Sequence, residues 1–79
     1  WTTITIVGTK NANRPGVLAR LAHLVFQAGG NILRSVNNTQ ADGSFYLRLV
    51  IKNLTPDKRE ALRLAFLNAD IEIASLEIA

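Results

Sequence analysis

Seven residues carry most of the chemical potential of this 79-residue chain: Asn13-Arg14-Pro15-Gly16-Val17-Leu18 and, eighteen positions after the first asparagine, Asn31. An asparagine side chain offers both an amide donor and a carbonyl acceptor. Asn13 is placed to cap a helix that begins just after it. Pro15 fits the first turn of that helix, where its missing N–H costs nothing. Gly16 clears a side chain where a backbone or a ligand must come close. A helix N-terminus supplies unpaired N–H groups and a partial positive charge, which attract carboxylate or phosphate. The chemistry implied is therefore capture of a small anion or zwitterion, with the N–H groups of Gly16 and Val17 on its carboxylate. Arg14 either turns inward to assist or points into solvent. Asn-x-Pro-Gly is also common helix-start punctuation, and on that reading the turn binds nothing.

Bond-making chemistry lacks its parts. There is no cysteine, and the single histidine, His23, falls inside a helical pattern as an amphipathic or partly exposed position. With no paired carboxylates either, general acid–base and nucleophilic catalysis have no constellation to use. Neither a disulfide framework nor a thiolate zinc site can form. No metal or organic cofactor is expected.

Composition sets the frame for the turn. Apolar residues make up 48% of the chain, high for its length, so either a dense core or an apolar surface hidden by other copies is expected. Residues 1–79 read as one domain, and the start at Trp1 without a methionine suggests a piece of a larger protein. No apolar run reaches the length of a membrane span and nothing resembles a signal peptide; the absence of cysteine fits a cytoplasmic setting, which is the expectation. The net charge of +3 is mild, and the basic residues are scattered along the sequence apart from Lys58-Arg59-Arg63, which reads as a solvated helix face. A nucleic-acid partner is accordingly not expected.

Six elements position the candidate residues. Residues 2–10 alternate, with Ile4 and Ile6 on one face and Thr3 and Thr5 on the other, and predict a strand. Residues 17–27 predict a helix, with Val17, Leu18, Leu21, Leu24, Val25 and Ala28 at helical spacing and Gly29-Gly30 as its stop. Residues 31–40 predict a second strand. Asp42-Gly43 marks a hairpin into residues 44–52, where Phe45, Leu47, Leu49 and Ile51 share a face. Thr55-Pro56-Asp57 caps a second helix with Ala61, Leu62, Ala65, Phe66 and Ala69 as its apolar stripe. Residues 71–79 predict the last strand. The order is the α+β, ferredoxin-like βαββαβ unit: a four-stranded antiparallel sheet with two helices on one face and the first and third strands central. Its edges, the second and last strands, lack proline or dense charge, so pairing between copies is expected there.

Over nearly its whole length the chain resembles an ACT domain, the small-molecule-binding regulatory module of many amino-acid-metabolism enzymes. The resemblance rests on Ile4-Thr5-Ile6-Val7, on Asn13-Arg14-Pro15-Gly16-Val17-Leu18-Ala19, and on Gly30-Asn31-Ile32 opening the second strand. Asn13 and Asn31 match in spacing the two asparagines that hold serine in the ACT domain of phosphoglycerate dehydrogenase. The resemblance implies a domain that pairs side by side into an eight-stranded sheet and governs a linked catalytic domain. It also implies a free amino acid held between the first-loop turn of one copy and the second-strand start of its neighbour. The residues implicated are Asn11, Asn13, Arg14, Pro15, Gly16, Val17, Leu18, Asn31 and Ile32. Asn11 stands where that dehydrogenase has a histidine. The segment 36–54 resembles at least as well the ACT domain of stringent-response alarmone synthetases, for which a pairing module without its own ligand is the alternative.

Two other readings of the same topology are weaker. RNA-recognition motifs stack bases on aromatics of both central strands, whereas only Tyr46 occupies such a place here. Acylphosphatases use a Gly-Val-x-x-Arg segment and a second-strand asparagine, over which Gly16-Val17-Leu18-Ala19-Arg20 and Asn38 can be laid. Pro15 and the polar residues 11–13 replace that family's phosphate-cradling loop.

Overall fold

The computed structural model describes residues 1–79. Strand β1 (Thr2–Gly8) leads through a short 3-10 turn (Lys10–Ala12) to helix α1 (Val17–Gln27). Strands β2 (Asn31–Thr39) and β3 (Phe45–Lys52) form a hairpin, followed by helix α2 (Pro56–Asn68) and strand β4 (Ile73–Ile78). The strands pair antiparallel in the order β2-β3-β1-β4, so β1 and β3 are central and β2 and β4 are edges. This is the βαββαβ arrangement that the alternation of the strands and the periodicity of the helices predict.

Strict period-two alternation puts Ile4 and Ile6 of β1 and Phe45, Leu47, Leu49 and Ile51 of β3 beneath the helices, all buried. Leu21 and Val25 of α1 and Leu62 and Phe66 of α2 close over them, and Ala12 plugs the end near the first loop. Each such aliphatic or aromatic side chain contributes about 1.5–3 kcal/mol by leaving water. Thr55 caps α2 as expected: its hydroxyl accepts the Lys58 N–H at 3.4 Å, with Pro56 in the first turn. Ala61 is a correction, since it faces solvent while Leu62 and Phe66 carry the contact.

Two strand boundaries fall two residues short of the expectation, for a common reason. The first strand ends at Gly8 and not Lys10, because the Ala12 N–H donates back to the Thr9 carbonyl (3.0 Å) and coils the chain. The last begins at Ile73 and not Ile71, because the Ile71 N–H turns to the Ala69 carbonyl at 2.8 Å. Both deviations meet at one end of the sheet, where the β1–β4 register shifts between Val7 and Gly8.

Register also decides what each edge shows. Residues paired directly across an antiparallel ladder point to the same side. Ser35, Asn37 and Thr39 of β2 oppose Leu49, Leu47 and Phe45 and so lie on the helix side, yet all three are exposed. Arg34, Val36 and Asn38 oppose Val50, Arg48 and Tyr46 on the open side. The β2 edge is long, unpaired and uncovered. No helix is long and apolar enough to cross a membrane.

Candidate functional site

Three successive tight turns build the loop between β1 and α1. The 3-10 turn ends at Asn13, whose N–H donates to the Lys10 carbonyl at 3.2 Å. Asn13 itself (φ −80°, ψ 76°) forms an inverse γ-turn, closed by the Arg14 N–H on the Ala12 carbonyl at 2.9 Å. Arg14 to Val17 then form a type II turn: the Val17 N–H reaches the Arg14 carbonyl at 3.2 Å, with Pro15 second and Gly16 third at φ 87°, ψ −7°.

This geometry corrects four expectations. Asn13 does not cap α1; Gly16 occupies the cap position, without a side-chain bond. The Asn13 side-chain amide instead donates to the Gly43 carbonyl at 2.9 Å, tying the loop to the tip of the β2–β3 hairpin. Pro15 precedes the helix and sets the turn rather than the first helical residue. Gly16 is required by its positive φ, not by crowding, since a Cβ there would meet no atom within 4 Å. The Val17 N–H is spent inside the turn, so the free N–H groups at the helix start are those of Gly16, Leu18 and Ala19. Gly16→Ala should therefore cost about 1–2 kcal/mol through backbone strain alone, measurable as a lowered urea midpoint with no change in fold.

The loop borders two clefts. A cleft of about 150 Å³ lies toward the sheet, lined by Asn13, Arg14, Gly16, Val17 and Leu18 together with Asn37, Thr39 and Phe45. A broader depression of about 660 Å³ lies on the other side, between Arg14 and Arg20 and the Asp70-Ile71 turn. Arg14 borders both, exposed and without an ion pair. Asn37 and Thr39 were not singled out from sequence; the signal was their period-two spacing with Ser35 on the helix side of an edge strand.

Asn31 and Ile32 stand elsewhere. They open β2 beside Lys52 and Ile51, whereas the Asn13 loop abuts the other end of the strand at Asn37 and Thr39. Thr39 lies eight residue steps along extended chain from Asn31, roughly 26 Å at about 3.3 Å per step. One chain therefore brings Asn13, Arg14, Gly16, Val17 and Leu18 together and leaves Asn31 and Ile32 remote. Asn11 does not line the small cleft and lies instead near Glu72.

Two exposed carboxylates staple this end of the molecule. The Thr9 hydroxyl donates to Glu72 at 2.5 Å, and this bond, with Asn11 adding to it, holds the Glu72 carboxyl below its usual range. Ser44 donates to Asp42 through its hydroxyl (2.6 Å) and its N–H (2.9 Å), which lowers the Asp42 carboxyl likewise. A carboxyl depressed in the folded state stabilises above its unfolded pKa, and the contribution is lost as pH falls through the folded value. Acid should thus loosen this end below about pH 4. The pair Asp42→Asn and Glu72→Gln should flatten the fall in urea midpoint between about pH 5 and pH 2, modestly, because both groups face solvent.

No protein-family model and no curated protein sequence matches the chain. Solved structures do. The ACT domain from GTP pyrophosphokinase of Chlorobium tepidum superposes with a TM-score of 0.76 at 23% identity, covering 99% of this chain and 95% of that one. The acetolactate synthase small subunit of Thermotoga maritima gives 0.71 at 18% identity, covering 98% and 45%. Formyltetrahydrofolate deformylase from Burkholderia mallei gives 0.75 at 15% identity, covering 98% of this chain. The chain thus spans about a quarter of that deformylase and about half of the small subunit, but nearly all of the isolated pyrophosphokinase domain. Its fold is that of an ACT domain.

Proposed function

We propose that the chain is an ACT-type regulatory domain that binds a free amino acid at the interface of a side-by-side pair and so controls a linked catalytic domain. One observation carries the reading: the two halves of the expected site lie at opposite ends of the same open strand. Antiparallel pairing of β2 with β2 of a second copy, centred near Ser35, sets Asn31 of one copy opposite Thr39 of the other. Thr39 abuts the Asn13 loop. Two-fold pairing thus completes two sites at once, each with Asn13, Arg14, Gly16, Val17 and Leu18 from one copy and Asn31 and Ile32 from its neighbour.

The surface beside that edge supports such pairing. Leu18, Ala22 and Phe26 form an i, i+4, i+8 stripe on α1, and Phe26 is 73% exposed. Leu33 and Val36 on β2 add further exposed apolar area. In the composite site, the free N–H groups of Gly16, Leu18 and Ala19 would hold the ligand carboxylate. The Asn13 and Asn31 carbonyl oxygens would accept from its ammonium. A ligand bridging two copies favours the paired state by its differential affinity for it, which is the physical content of regulation here.

A second reading is favoured by a separate observation. Asn13 and Gly16 both have structural work, on Gly43 and in the type II turn, so the domain serves equally as a pairing module without a ligand. Calorimetric titration with each of the twenty amino acids separates the two. Binding below millimolar, weakened at least tenfold in Asn31→Ala, supports the ligand reading. No binding, with pairing retained in sedimentation at tens of micromolar, selects the module.

A further inference from the structure

The sheet face away from the helices carries a charge cluster that the sequence hides. Arg34, Arg48 and Lys52 are separated by up to eighteen positions, but the β2–β3 register gathers them around one residue. Arg34 lies directly across from Val50, and Arg48 and Lys52 flank Val50 two positions either way on β3. On the fourth side, Thr3 of β1 pairs with Val50. None of the three cations makes an ion pair; the one ion pair of the chain is Arg63 with Glu60 on α2. The only acid on this face is Glu77, on the far edge and separated from Arg48 by Thr5. Arg34 stands diagonally across the ladder from both Arg48 and Lys52, about 7–8 Å between such positions, so their mutual repulsion works, weakly, against the isolated fold.

We propose that this open sheet face docks an acidic protein surface: two or three carboxylates set around an aliphatic side chain that covers Val50. The charge pattern selects the chemistry, and the apolar residues select its class. Val36, Val50 and Tyr46 alternate with the cations, and Val50 and Tyr46 are only half-buried. Desolvating them suits a protein partner and gains nothing from a sugar–phosphate backbone. Three cations support only a few phosphate contacts, and Tyr46 is a lone stacking aromatic where base binding uses several. A second copy is disfavoured as occupant, because each face carries three cations against one acid. A sheet surface is also flat, whereas small-molecule sites are concave. This surface takes in the open-face side chains of β2, Arg34 and Val36, but not the strand's free backbone edge, and its charge cluster does not depend on amino-acid binding.

The test uses the chain labelled with nitrogen-15 and three probes: a helical peptide with leucines flanked by glutamates, the same peptide with glutamine for every glutamate, and polyuridylate. The acidic peptide is expected to shift the amide signals of Arg34, Arg48, Val50 and Lys52, and the glutamine peptide to leave them in place. Arg48→Glu, and the milder Arg48→Gln should the first misfold, are expected to weaken acidic-peptide binding at least tenfold. The same variants should raise the melting temperature at low salt, a gain that shrinks at about 0.5 M salt as screening removes the repulsion. Tighter binding of polyuridylate than of the acidic peptide, shifts on any other surface, no binding at all, or a lowered melting temperature in a folded Arg48→Gln would overturn the proposal.

Discussion

Gly8→Ala should destabilise the chain by about 3 kcal/mol, comparable with the whole stability of a domain this small, about 3–5 kcal/mol. The strand position itself tolerates alanine. The obstacle is the Phe45 ring, whose Cε1 and Cζ would lie 2.0 and 2.3 Å from the new Cβ. Phe45 is only 5% exposed, so the ring has nowhere to swing without displacing its neighbours. The damage should reach the candidate site, because Phe45 also lines the small cleft beside Asn13 and Leu18. Thermal unfolding followed by circular dichroism is the measurement. Adding Phe45→Leu to the Gly8→Ala chain should recover part of the loss, since leucine lacks the offending ring atoms. No recovery would mean that the glycine is needed for the strand irregularity at Val7/Gly8 instead.

The second large effect concerns association and should leave the fold alone. Phe26 is the most exposed residue of the α1 stripe, so Phe26→Lys removes nothing from the core. A cation near a helix C-terminus is favoured by the helix dipole, and the unfolding midpoint should hold or rise slightly. In a two-fold pair, however, the substitution removes two buried rings. At about 2 kcal/mol each, pairing should weaken roughly a thousandfold. Sedimentation equilibrium reads this directly. Unchanged association would exclude α1 from the interface and move it to the β4 edge, where Leu64 and Leu67 of α2 are the exposed apolar residues.

The elements were legible where one periodicity ran uninterrupted. Ile4 and Ile6 on β1, and Phe45 to Ile51 on β3, alternate without a break, so strand order and buried face followed from pattern alone. Asp42-Gly43 marked the hairpin because positive φ at Gly43 is what such a turn uses. The loop at residues 9–16 was not legible in the same way. It has no period: three tight turns follow one another, and the partner of Asn13 is Gly43, thirty residues away. Pro15 and Gly16 were legible as a turn before the helix, while their placement around the helix start was off by one or two positions. The Arg34, Arg48 and Lys52 cluster was invisible for a different reason. Spacing along the chain says nothing about register across it, and the bulge between Ile32 and Arg34 helps set which β2 side chains meet β3.

Mixing two variants tests the shared site most directly. On the proposed shared site, Asn13→Ala and Asn31→Ala each remove one half of every composite site, so each chain alone should bind the parent chain's amino acid at least tenfold more weakly. In a mixed pair, the intact Asn13 of one chain faces the intact Asn31 of the other, which restores one site and leaves the second doubly defective. After equilibration of equal amounts, random pairing makes about half the pairs mixed, and calorimetry should recover about a quarter of the parent's binding capacity at near-parent affinity. A mixture that binds no better than its separate components would contradict a site shared between two copies.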